Sequence, residues 1–211
     1  AAAGSRAVTG RRTPSVPARG GVRTPPPRAD VDPIDDRLPS RLLWRDLGGA
    51  AACVVLGILG FTGDGRVPVL AWINLALHEF GHVATALLPE IVTAAMGSVT
   101  QVAVPLAIAG YFLARRELVS GMLCLAWAGT SAHEASVYIA DAPYERLELI
   151  GGYHDWAFVL GPEGLDAMER SGQVAAVVNA VGLALVAIGV AGCLARPLLW
   201  GRTVPWARPG H

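Results

Sequence analysis

Residues 70–88 read LAWINLALHEFGHVATALL, and His78, Glu79 and His82 are the only titratable side chains among them. Asn74, His78 and His82 recur at i, i+4 and i+8, so a helix over this stretch carries them on one face. Two imidazoles one turn apart can grip a single metal ion. Glu79 beside them is placed to take a proton from water activated by that metal. Among apolar neighbours such groups are costly unless a metal, a partner or water satisfies them. With five histidines and eight glutamates in 211 residues, the chance expectation for HExxH is about 0.004 occurrences. The bland alternative is a set of polar side chains hydrogen-bonded inside a bundle. Metal binding is the reading preferred.

The composition sets this helix in an apolar context. The hydrophobic fraction is 53% and the charged fraction 16%, against about 25% charge for an ordinary soluble domain. Mean hydropathy is +0.43. The charge deficit is concentrated in long segments, the pattern of a chain that crosses a bilayer several times. All 17 basic residues are arginine, read as a coding bias of a GC-rich bacterial genome. The net charge of zero argues for no particular partner, and no nucleic-acid partner is expected. Cys53, Cys124 and Cys193 each stand alone in an apolar stretch, which argues for core packing rather than disulfides or thiolate zinc.

Residues 1–41 form a tail rich in Pro, Arg, Gly, Ser and Thr, expected to be disordered and preferred as a basic cytoplasmic tail over an organellar transit peptide. No charged segment followed by an apolar run and a cleavage site opens it, so no removable signal is expected. Residues 42–200 are expected to form a helical membrane domain, and 201–211 a C-terminal tail. Five apolar segments lie within the domain, at about 47–62, 67–88, 99–113, 118–140 and 174–195. The expected fold is therefore all-α, a polytopic helical membrane protein with about five transmembrane helices. Several segments are short for a hydrocarbon core about 30 Å thick, which suits helices lining a hydrated cavity. Near-membrane arginines divide six against six between the two sides and set no orientation.

Other polar residues interrupt the apolar segments. Thr130, Glu134, Tyr138 and Asp141 make a second stripe, expected to face the HExxH helix, with Glu134 or Asp141 orienting a ligating imidazole. His133 points about 100° away from Glu134. Asn74 would either serve the site or bond between helices. The loop 142–172 holds Tyr153-His154-Asp155-Trp156. A catalytic zinc commonly has three protein ligands, so His154 or Asp155 is the candidate third, with Asp141 behind them. Downstream, Pro162 is expected to start a short surface helix with Leu165 and Met168 on its apolar edge, ended by Ser171-Gly172.

The HE-apolar-GH pattern of His78-Glu79-Phe80-Gly81-His82 within an apolar helix resembles the site-2-protease-like intramembrane zinc metallopeptidases, the M50 group. The chain also resembles small bacterial membrane proteins that follow an HEFGH helix with a His-Asp-Trp loop. The M50 resemblance implies zinc held by His78 and His82, with Glu79 as general base. That family's third ligand is an aspartate in an Asp-Gly element. Here Gly164-Leu165-Asp166-Ala167 lacks the glycine, so the role is not carried onto Asp166. The expectation is zinc-dependent hydrolysis of peptide bonds by a multi-pass protein of a bacterial plasma membrane. Its partners would be the lipid bilayer and a membrane-protein substrate whose helix unwinds locally. Hydrolysis of a lipid amide or ester, and non-catalytic binding of a metal or haem, are the alternatives.

Overall fold

The computed structural model describes residues 40–62, 66–147, 149 and 153–203. Most of the expected N-terminal tail and residues 204–211 lie outside them. Among the described residues the fold is entirely helical. The elements are α1 (Ser40–Phe61), α2 (Leu70–Ala84), α3 (Glu90–Ala114), α4 (Leu118–Asp141), α5 (Asp155–Leu160) and α6 (Ser171–Thr203), with a 3-10 turn at Met168–Arg170. Three of these, Ser40–Phe61, Glu90–Ala114 and Met168–Ala195, are long and apolar enough to cross a membrane. At 15 residues, α2 is shorter than the about 20 that a span requires. Although α4 has 24 residues, Thr130, Ser131, His133, Glu134 and Ser136 dilute its apolar character.

Local sequence explains the helix ends. α2 ends at Ala84, and Pro89 is the N-cap of α3, whose first turn holds Glu90 where a carboxylate meets the positive end of the helix dipole. Apolar runs alone underestimate two helices. α3 begins nine residues before Val99, because Ile91 to Ser98 is a mixed polar and small-residue stretch packed on a neighbour. α1 begins at Ser40, inside the expected tail. The surface helix expected after Pro162 is replaced by a turn with Leu165 exposed. Ser171-Gly172 opens α6 instead of closing a helix. The short helix in this loop is α5, formed earlier in the chain.

α4 contacts α1, α3 and α6, while α2 packs on α3. Small residues permit these approaches. A Cβ on Gly129 would lie 2.5 Å from the Gly182 carbonyl oxygen, so α4 and α6 touch backbone to backbone. One apolar cluster joins α1, α4 and α6 through Ala50, Cys53, Met122, Ala126 and Cys193. Another, of Ile139, Leu160 and Ala175 with Trp156 against it, seats α5 on α4 and α6. Large apolar residues stay on the outside: Val54, Val55 and Ile58 on α1, Trp72, Phe80 and Val83 on α2, and Val177 and Leu183 on α6. So much exposed apolar surface suits hydrocarbon surroundings.

Candidate metal centre

The histidine pair sits at the contact of α2 with α3. A side chain on Gly81, between the two histidines, would collide with the Met96 carbonyl oxygen, so glycine sets how closely the helices approach. Across the contact, Gly97 leaves room for an imidazole: a Cβ there would lie 2.6 Å from His78 Nε2. Both rings are thereby drawn inward. His78 is buried and His82 half-buried, with ring centroids 4.8 Å apart.

The third member is Asp155, the first residue of α5. Its Oδ2 lies 3.0 Å from His78 Nε2 and 3.3 Å from His82 Nε2. One ligand atom from each of the three residues falls within 4.8 Å of the others, a group that could hold a metal ion. Four atoms each about 2.0–2.1 Å from a tetrahedral cation stand about 3.3–3.4 Å apart. The two nitrogen–oxygen separations are near that edge length, and two imidazoles with one carboxylate are ordinary donors for such an ion. The residues fit.

Each of the three side chains is held from behind. His78 Nδ1 donates to Gln101 Oε1 at 3.1 Å, and Gln101 Nε2 donates to the Ser131 carbonyl at 3.1 Å. His82 Nδ1 donates to the Thr93 carbonyl at 2.8 Å. Tyr138 does two things for Asp155: its hydroxyl donates to Oδ2 at 3.2 Å and accepts the Asp155 backbone N–H at 3.0 Å. Trp156 Nε1 donates to Ser98 Oγ at 2.9 Å, which pins α5 to α3. Glu79 lies one residue beyond His78 and is exposed.

His154 is not in the metal group. It precedes α5 and caps it, Nδ1 accepting the Ala157 N–H at 3.2 Å. Its buried ring stacks on Tyr138 at 4.3 Å between centroids, and Nε2 points to Asp141 Oδ2 at 3.5 Å. With Nδ1 committed to the cap and Nε2 turned to Asp141, neither nitrogen faces the histidine pair. Of the two residues proposed as third ligand, the geometry favours Asp155. Asp141 is likewise removed from the pair: its Oδ2 accepts the N–H groups of Arg146 and Leu147, both at 3.0 Å.

The stripe on α4 is divided. Glu134 accepts from Asn74 Nδ2 at 2.7 Å and lies 3.8 Å from Arg66 Nε. Asn74 Oδ1 accepts from Trp127 Nε1 at 2.9 Å and Ser131 Oγ at 3.0 Å. Asn74 is thus the interhelical clasp between α2 and α4. Thr130 faces α1, where its Cγ2 would meet a side chain on Gly60, and Tyr138 alone reaches the metal group. His133 is turned from the site to Asn179 of α6 at 2.7 Å and stacks on Phe61. Sequence reasoning missed Gln101, Gly97 and Thr93. A signal for them exists: they fall at i, i+4 and i+8 on α3, a small and polar row in an apolar helix. No protein-family model, curated protein or solved structure matches the chain.

Proposed function

We propose that this chain is a membrane-embedded zinc hydrolase that cleaves peptide bonds at or within the bilayer. The observation that carries the proposal is the convergence of His78 Nε2, His82 Nε2 and Asp155 Oδ2, with Glu79 next to His78 on the same helix. Three helices are long and apolar enough to cross a membrane; in this reading α4 and α2, whose outward face is apolar at Trp72, Phe80 and Val83, would complete the five spans.

Bound by these three side chains, zinc supplies a Lewis acid that polarises the scissile carbonyl and makes water more acidic. The chain supplies the rest. His78, His82 and Asp155 hold their donor atoms in place before any ligand arrives. Glu79, exposed beside them, accepts the proton of the attacking water and returns one to the departing amine. A helical substrate has its carbonyls engaged in i to i+4 bonds, so the segment cleaved unwinds first.

The test is metal content and turnover in the purified full chain. The wild type is expected to carry about one zinc per chain, and His78→Ala and His82→Ala to lose it. Glu79→Gln should keep the metal and stop cleavage of a membrane-peptide reporter. Unchanged zinc in both histidine variants refutes the proposal.

A further inference from the structure

We propose that Gln101 is a positioning residue that fixes His78 in its Nδ1–H tautomer and so presents the Nε2 lone pair to the metal; this rests on the metal-dependent function above. A neutral imidazole has one N–H and one lone pair, and the neighbours decide which nitrogen has which. Gln101 is 5% exposed, so its amide answers to protein groups. The Ser131 carbonyl can only accept, which requires the Gln101 NH2 group to face it, and their distance is 3.1 Å. The other end of the amide, Oε1, is then left toward His78 Nδ1 at 3.1 Å and can only accept in its turn. Nδ1 must carry the proton.

The opposite tautomer would require the amide to turn over. That sets Gln101 Oε1 against the Ser131 oxygen, two acceptors in a buried place where a broken hydrogen bond is not replaced by water. One side-chain amide, anchored on α4, thus determines the protonation pattern of a ring on α2.

His82 is wired alike, since its Nδ1 faces the Thr93 carbonyl, again an acceptor without a proton. In the neutral rings both Nε2 atoms therefore present lone pairs, and both lie against Asp155 Oδ2, itself an acceptor. Three convergent lone pairs repel unless positive charge sits among them. Thr93, Gly97 and Gln101 occupy one row of α3. The outer two set the two rings' tautomers, and the glycine gives one ring its space. Because the partner of His82 is main chain, Gln101 is the member of this pair that a side-chain substitution can remove.

The experiment uses the full chain in detergent micelles with histidine labelled by 15N. Zinc affinity is read by competition with a chelator. The metal-free His78 tautomer is read from 15N shifts and the couplings of the ring nitrogens to carbon-bound protons, assigned by loss of the signals in His78→Ala. The wild type is expected to show Nδ1–H at His78. Gln101→Met keeps length and apolar packing but removes the acceptor; it should give mixed tautomers and bind zinc about 10–100-fold more weakly, with helix content unchanged by circular dichroism. Gln101→Glu keeps an acceptor for Nδ1 but gives up the N–H to the Ser131 carbonyl, so it should hold the Nδ1–H form and bind zinc more weakly than the wild type and more tightly than Gln101→Met. A neutral His78 ring with its proton on Nε2 and none on Nδ1 in the wild type overturns the proposal. So does wild-type zinc affinity in Gln101→Met, or equal weakening in Gln101→Met and Gln101→Glu. If the wild type binds no zinc, the proposed hydrolase fails, while the wild-type tautomer still decides the role of Gln101.

Discussion

Alanine at position 97 would set a methyl group against the His78 ring. Its Cβ would lie 2.6 Å from Nε2 and 2.7 Å from both Cδ2 and Cε1, where ordinary contacts begin at 3.4 Å. The ring must therefore retreat by about 0.8 Å, whereas a metal site tolerates about 0.2 Å in its ligand distances. It cannot retreat freely, because Gln101 holds Nδ1. Overpacking of this kind costs about 1–3 kcal/mol of stability, and the affinity for zinc should fall by at least the about 10–100-fold typical of a lost outer partner. Gly110 on the same helix is the control. A Cβ there meets nothing within 4 Å, so Gly110→Ala should gain about 0.5–1 kcal/mol from backbone entropy and leave binding alone. The assay is chelator competition for zinc alongside thermal unfolding of the full chain. If Gly97→Ala binds zinc as tightly as Gly110→Ala, the packing account of this site is wrong.

Two further outcomes follow from the geometry around α5. Asp155→Asn should lose bound zinc, whereas His154→Asn, which keeps a capping acceptor for the Ala157 N–H, should retain it; metal analysis giving the reverse pattern would exchange their roles. Tyr138→Phe removes both hydrogen bonds to Asp155 and should weaken zinc binding by about 10–100-fold with helix content preserved, and unchanged affinity would show that Asp155 needs no such support.

The α2 site was legible because it is local. His78, Glu79 and His82 lie within two turns of one helix, and helical period alone puts the imidazoles side by side. Asp155 was legible only as one of two neighbours, since a loop has no period to tell which side chain turns inward. What favours Asp155 is the short α5 helix: capping occupies His154, and the first helical position brings Asp155 to Tyr138 and the pair. Glu134 was expected to seek an imidazole because a carboxylate in an apolar segment needs a partner. That need was met by Asn74 and Arg66, groups that the same argument could have named. Gln101 and Gly97 went unread because one glutamine and one glycine look unremarkable until they are seen four residues apart. Helix bounds fared worst at α3, whose first nine residues are helical by packing on α2 and not by greasiness.

His78 and Asp155 are separated by 77 residues of chain. An ion gripped by both would act as a staple on a long loop, and a crosslink closing a loop of that size removes roughly 4–5 kcal/mol worth of freedom from the unfolded ensemble. Chelation would then do more than silence chemistry. It would relax the hold between the first half of the bundle and the segment carrying Asp155, making loss of metal a change in the mechanical integrity of the whole protein.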